Sequence, residues 1–305
     1  MVLIIRDYMN PLTLDIKSAA KLLPSRVEDG NKGTFGRVLL ICGSRNMVGC
    51  CSLAAKGALR SGAGLVTLAF PDVLYTSLTS QLTENLFLPL PTDERGFISH
   101  LAIADILSAA EQADVIMLGC GIGTGYAQSL ITTTLLSCDK PLVLDADALN
   151  NLVGCTALLK KSKAQILITP HPGEMARLVG CNVAQVQENR VGCAANFAKE
   201  YGVNVLLKGH ETVVCNSDAT EVYINRTGNT GLAKGGSGDL LSGIIAGLTP
   251  SLKGDVFTSG VLGAFVHGLC ADVLKKEMSE YSILPTDCAD ALGRVFKAIE
   301  ESGKN

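Results

Sequence analysis

The chain has 305 residues, of which 47% are hydrophobic and 18% charged, with a formal net charge of −3. That composition describes a globular protein with a large core, and it offers no electrostatic basis for binding nucleic acid or an anionic membrane. The 11 cysteines, an odd number without a C-x-x-C pair, read as buried reduced thiols of a cytoplasmic protein rather than a zinc site or a disulfide framework.

Residues 1–11 read as an N-terminal extension; its apolar start is cut short at Arg6 and Asp7, too early for a signal peptide. Residues 14–23 suit a short helix stopped by Pro24. An apolar strand over 37–42 runs into Gly43-Ser44, a helix of small residues covers 47–61, and a second strand follows over 65–70. These strands lack polar alternation, so the βαβ unit they form is buried on both faces. Further strands are expected at 114–118, 141–144, 165–168 and 203–207, with helices at 126–137 and near 185–200. A hairpin over 211–215 and 221–224 and helices at 239–248, 254–276 and 287–300 complete the chain. The window from Val256 to Leu274 is the most apolar, but His267 and Asp272 inside it point to a core helix rather than a membrane span. No linker, repeat or charge run divides the chain. One α/β domain over 1–305 is expected: a doubly wound, mostly parallel sheet flanked by helices.

In such a sheet ligands lie at the carboxyl ends of the strands, and the unusual residues of this chain collect there. Gly119-Cys120-Gly121-Ile122-Gly123-Thr124-Gly125 follows a strand, and Asp145 ends the next, which is the best case for a Rossmann fingerprint. The spacing fails. G-x-G-x-x-G counted from Gly119 meets Thr124, and from Gly121 it meets Tyr126. Gly121 and Gly123 are read instead as points where a ligand approaches the backbone. Asp145 either helps to place substrate or Mg2+, or caps the helix behind it. His171, held between Pro170 and Pro172, is rigid enough to meet a ligand, while Glu174 suits the first turn of a helix. Lys208 is either a solvated rim charge or a phosphate partner. No Walker A motif is present.

The densest signal is Thr227-Gly228-Asn229 followed by Ala233-Lys234-Gly235-Gly236-Ser237-Gly238-Asp239. Leu240, Leu241, Ile244, Ile245 and Leu248 then share one helical face, which places Gly235, Gly236, Ser237 and Gly238 at a helix mouth. The first N–H groups there lack intrahelical partners and the macrodipole is positive, so the mouth is an anion hole suited to a phosphate. Asp239 either helps the helix to start or takes the proton from a hydroxyl that attacks phosphorus.

This run resembles the ribokinase-like superfamily and, within it, the ADP- or ATP-dependent NAD(P)H-hydrate dehydratases. Matching runs include 58–66, 145–150 and 169–174, and the resemblance covers residues 12–300 as a dehydratase module without an epimerase domain. It departs in two places. Cys120 interrupts a run that is usually Gly-Pro-Gly, and Cys50 follows Gly49 where alanine is usual. The resemblance implies a ribokinase-like fold and a lyase that restores (S)-hydrated NADH and NADPH, using ADP or ATP with Mg2+. By the same resemblance the nucleotide runs along Lys208, Gly209, His210, Glu211, Thr212, Asn229 and Gly238. The substrate meets Gly49, Cys50, Gly121, Gly123, Asp145, His171 and Asp239, with Asp239 as the base. A cytoplasmic homo-oligomer, a tetramer among the options, is expected, and ADP is favoured because bacterial members generally use it. Two rival readings are a vitamin or thiazole-alcohol kinase of the same superfamily and a non-catalytic dinucleotide-binding sensor.

Overall fold

The computed structural model describes residues 11–304. Its strands are β1 (Arg37–Ile41), β2 (Leu65–Pro71), β3 (Leu86–Leu90), β4 (Val115–Leu118), β5 (Leu142–Leu144), β6 (Ile166–Ile168), β7 (Asn204–Leu207), β8 (Val213–Cys215) and β9 (Val222–Ile224). They form one sheet in the order β3-β2-β1-β4-β5-β6-β7-β8-β9. Pairing is parallel from β3 through β7 and antiparallel at β8 and β9. The helices are α1 (Ile16–Leu22), α2 (Gly49–Arg60), α3 (Tyr75–Thr79), α4 (Ile103–Gln112), α5 (Tyr126–Leu135), α6 (Asp147–Asn150), α7 (Pro172–Val179), α8 (Val183–Glu188), α9 (Arg190–Tyr201), α10 (Ser237–Leu248), α11 (Val256–Leu274) and α12 (Pro285–Ser302).

Both faces of the sheet are covered, which is why its strands read as unbroken apolar runs. Leu39 and Ile41 of β1 enter the core with residues of α4, α5, α7 and α9, whereas Val38 and Leu40 enter the core with residues of α2, α10 and α11. A third cluster joins α1, α10, α11 and α12 outside the second face. α11 is long and apolar enough by length and composition to cross a membrane, but 72% of that window is buried, as a core helix requires. α10 packs on α2 through glycine. A Cβ on Gly243 would lie 2.2 Å from Ala54 O, one on Gly247 2.4 Å from Ala58 O, and one on Gly57 2.7 Å from Leu240 O. This close approach fixes the height at which the first turn of α10 meets the strand ends.

Several expected boundaries shift. The helix expected near 185–200 is two helices, because Asn182 caps α8 and Asn189 caps α9, accepting from Gln185 N and Gly192 N respectively, each at 2.9 Å. β3, α3 and α4 were not anticipated. β3 carries Pro89, which removes a backbone donor, and it sits at a sheet edge where only β2 pairs with it. Of the expected extension, residues 1–10 lie outside the described residues; beyond them Leu12 bridges to Tyr223 of β9.

The strand order reverses between β1 and β4. The crevice at such a switch point is where open α/β sheets bind ligands, and the Gly119–Gly125 turn, Asp145, His171 and Lys208 all follow strands that end on this rim.

Candidate active site

α10 begins at the rim with Gly236 as its N-cap, at φ 97° in the left-handed region. A side chain there would also strike Leu53, whose Cδ1 lies 2.6 Å from an ideal Cβ. Among the described residues, no backbone carbonyl or side chain accepts from the N–H groups of Gly235, Gly236, Gly238 or Asp239. The Ser237 hydroxyl is buried and has no partner either. Nothing lies within 4 Å of where a Gly235 Cβ would stand. Unpaired donors around open space, at the positive end of a helix, are chemically suited to an anion.

Lys208 ends β7 and reaches across to this mouth; a Cβ on Gly238 would lie 3.3 Å from its Nζ. It is not a solvated rim charge. Its Nζ is 2.6 Å from Asp145 Oδ1 and 3.9 Å from Glu174 Oε2, and its side chain is 19% exposed. Asp145 ends β5 and is 1% exposed. It does not cap α6, whose cap position is Ala146. Its carboxylate instead accepts the Ala146 N–H at 2.8 Å, Lys208 Nζ, and the Ser242 hydroxyl at 2.7 Å. Burial alone would raise its pKa, but Lys208 and these hydrogen bonds outweigh burial and hold it below its ordinary value. The same pairing outweighs burial at Lys208 and holds that amine above its ordinary value.

Asp239, half-buried in the first turn of α10, has the opposite environment. Burial raises its pKa, the Asp145 and Asp147 carboxylates add to that, and the Cys120 thiol and Lys208 oppose it. A carboxylate with a raised pKa beside an anion hole is suited to accept a proton.

His171 is the N-cap of α7. Its Nδ1 accepts from Gly173 N at 2.9 Å and Glu174 N at 3.3 Å, while Glu174 Oε2 accepts from His171 N at 2.8 Å. That reciprocal box places the ring proton on Nε2, which lies 3.4 Å from Glu174 Oε1. Burial, with Lys208 and Arg177 nearby, lowers the His171 pKa and keeps the ring neutral near pH 7. Glu174 is more than a first-turn carboxylate. It is 5% exposed and bridges His171 to Lys208, and burial raises its pKa.

The 208–212 turn is closed by Thr212, whose hydroxyl donates to Gly209 O at 2.9 Å; His210 and Glu211 project to solvent. Asn229 holds its own loop: Nδ2 donates to Asp272 Oδ1 at 3.1 Å and Oδ1 accepts from Gly231 N at 3.0 Å. Gly49 opens α2 with free space at its Cβ position. Cys50 is 5% exposed and donates to Met47 O. The Cβ sides of Gly121 and Gly123 are filled by protein, Cys50 Sγ at 2.8 Å and the Phe97 ring at 2.4 Å, so those glycines are required by packing. Sequence reasoning missed Ser242 and Arg190. Arg190 Nη2 donates to Leu207 O at 2.9 Å, and the guanidinium lies against Gly209. Neither carries a motif; only the fold brings them to the rim.

The profile of the NAD(P)H-hydrate dehydratase family matches residues 38–294. The chain is 39% identical over 301 residues to the bifunctional NAD(P)H-hydrate repair enzyme of Moorella thermoacetica, covering 98% of this chain and 56% of that protein. It thus spans about half the length of its bifunctional relatives. It is 39% identical over 257 residues to the ADP-dependent (S)-NAD(P)H-hydrate dehydratase of Neisseria meningitidis, covering 83% of this chain and 81% of that one. Among solved structures, the Bacillus subtilis ADP/ATP-dependent NAD(P)H-hydrate dehydratase, co-crystallised with ATP and Mg2+, superposes with a TM-score of 0.81 at 28% identity. That superposition covers 96% of this chain and all of the other.

Proposed function

Because the chain belongs to the NAD(P)H-hydrate dehydratase family, we propose that it restores (S)-hydrated NADH and NADPH at the expense of ADP or ATP. The observation that carries this reading is the set of unpaired donors at the mouth of α10, bounded by Lys208 on one side and Asp239 on the other. The nucleotide lies along Lys208–Thr212 and the glycine-rich loop. The ring hydroxyl of the substrate, bounded by Gly49, Cys50, His171 and the Gly121–Gly123 turn, points at Asp239. Asp239 takes its proton as the oxygen bonds to the terminal phosphorus and the bond to the departing nucleotide breaks. The N–H groups of Gly235, Gly236 and Gly238 and the Ser237 hydroxyl hold the charge on the transferring phosphoryl. The ring nitrogen's electrons then expel the ester as inorganic phosphate, and loss of the neighbouring ring-carbon proton restores the double bond.

Mg2+ belongs to this reading as the counter-ion of the nucleotide. Among the described residues no three His, Cys, Asp or Glu side chains are grouped to hold a metal, and both Asp145 oxygens are already taken. Among the described residues these side chains do not form a protein cage for Mg2+. The 11 thiols are all unpaired, which suits a reducing compartment.

The test is absorbance at the reduced-nicotinamide band, with hydrated NADH and Mg2+ plus ADP, ATP or neither. A rise that requires one nucleotide supports the dehydratase and names the donor. Nucleotide consumption against another alcohol, with a stable phosphorylated product and no rise, moves the protein to the kinase reading. No rise and no consumption leaves a binding protein.

A further inference from the structure

Ser242 is fully buried on α10, three residues beyond Asp239 and next to Gly243, which packs on Ala54 of α2. Its hydroxyl donates to Asp145 Oδ2 at 2.7 Å. The Cys120 thiol also approaches that oxygen, with Sγ at 3.8 Å, but sulfur is a weak donor. The opposite oxygen, Oδ1, accepts the Ala146 N–H at 2.8 Å and Lys208 Nζ at 2.6 Å. Lys208 is also fixed at its root, because its backbone N–H donates to Pro170 O at 2.8 Å. A line of contacts thus runs from the buried side of α10 through Asp145 to the ammonium. The ammonium returns to the first turn of the same helix, 3.3 Å from where a Gly238 side chain would begin.

An ammonium carries three N–H donors. Asp145 Oδ1 takes one, Glu174 Oε2 stands 3.9 Å away, and the mouth of α10 faces the amine across Gly238. How far the amine can serve the mouth depends on how much of the Asp145 charge it must satisfy alone. A buried carboxylate needs donors on both oxygens. With Ser242 on Oδ2, Asp145 holds the amine through Oδ1 and leaves it at the rim. Without that hydroxyl, the carboxylate draws the ammonium inward toward both oxygens and away from the mouth.

We propose that Ser242 is a positioning residue for Lys208: by donating to Asp145 Oδ2 it keeps the ammonium on Oδ1 and at the mouth of α10. The proposal rests on the reading that this mouth takes the phosphates of a nucleotide, and it adds a residue that the nucleotide does not touch. It gives α10 two roles toward one ligand. The helix presents its own N–H groups to the phosphates, and through Ser242 it sets the place of the cation opposite them. Gly243 packs the neighbouring turn against α2, so the hydroxyl is presented from a fixed backbone.

The experiment measures the affinity of ADP and of adenosine, with Mg2+ present, for the wild type, Ser242→Ala and Ser242→Cys. ADP is titrated by calorimetry and adenosine by displacement of ADP. Ser242→Ala should weaken ADP by about tenfold, the size of a charge-assisted contact partly lost. It should leave adenosine unchanged, since the effect reaches the ligand only through the ammonium and the phosphates. Ser242→Cys keeps a weaker donor in the same space and should fall between; it carries the same comparison if Ser242→Ala does not fold. An unchanged ADP affinity would overturn the proposal. So would an equal loss for ADP and adenosine, which marks a general disturbance of the site. A second readout needs no ligand: the side-chain ammonium resonance of Lys208 in a proton–nitrogen correlation spectrum, identified by its absence in Lys208→Arg. Ser242→Ala should shift this resonance, and Ser242→Cys should shift it less. A resonance unmoved by either variant overturns the positioning role even in an active dehydratase. A shifted resonance in a protein that binds neither adenosine nor ADP supports the positioning of Lys208 and removes only the occupant assigned to the mouth.

Discussion

The two halves of α10 use glycine for opposite reasons. Along its lower turns, Gly243 and Gly247 bring its backbone against α2, with carbonyl oxygens 2.2 and 2.4 Å from where side chains would begin. At its mouth, Gly235 faces open space and Gly238 faces the Lys208 ammonium, 3.3 Å from where its side chain would begin. The seam excludes side chains because protein fills the space, whereas the mouth keeps open space beside unpaired donors, as the proposed nucleotide site requires. One helix therefore couples a rigid mount to a site of unpaired groups, and the two halves should fail differently when altered.

The largest effect is expected at the seam. Gly243→Val must push α10 off α2, with a loss of about 3 kcal/mol in unfolding free energy, read from denaturant titration, and activity falling only as the folded fraction falls. Lys208→Met crosses the divide, since Lys208 faces the mouth yet pairs a buried charge. It should cost about 3–5 kcal/mol by leaving Asp145 unpaired. It should also change the pH dependence of stability. Asp145 has a folded pKa below its unfolded value, so its contribution is complete above about pH 3.9 and is lost as pH falls through the folded pKa. Asp239 and Glu174, raised by burial, act in the other direction. Acid melts should therefore be steeper in the wild type than in Lys208→Met.

At the mouth the pattern should invert. Asp239→Asn should lower turnover by about 10²–10⁴-fold while leaving the thermal midpoint and nucleotide affinity near wild type. Near-normal turnover would remove Asp239 as the base. Gly238→Val should lower kcat/KM by about 10²–10³-fold with a stability loss smaller than that of Gly243→Val, because its Cβ meets side-chain ends rather than backbone. A stability loss like that of Gly243→Val would erase the distinction between mouth and seam. Gly235→Ala should do least, with a change within about 0.5 kcal/mol and a measurable weakening of nucleotide binding, read by calorimetry.

The parts legible in the sequence were those written in local pattern. β1, β2, β4, β5 and β7 stood out as apolar runs closed by glycine or acid, and the mouth of α10 as glycines ahead of a helical apolar face. β3 escaped because Pro89 and an exposed Leu86 break the run at an edge that needs less burial. α4 carried Ile103, Ile106 and Ala110 at helical spacing, a signal that was available. What the sequence did not carry was partnership. Lys208, Ser242 and Cys120 meet Asp145 across 63, 97 and 25 residues, and no spacing rule records such meetings. The His171 box shows the same limit from the other side. Its residues are adjacent in sequence, but their burial beside Lys208 is what alters their acidity.

The glycine seam also governs how the chain comes to be folded. α2 is made early and α10 late, yet neither can hide its small-residue face without the other. As the chain leaves the ribosome, the small-residue flank of α2 has no partner until α10 follows through the exit tunnel. Contacts of such long sequence separation form slowly and leave apolar surface available to other chains in the interval. A nascent chain stalled before α10 should be captured by chaperones, and one stalled after α10 has emerged should not. The same seam that sets the height of the mouth thus sets the moment at which the protein becomes safe from aggregation.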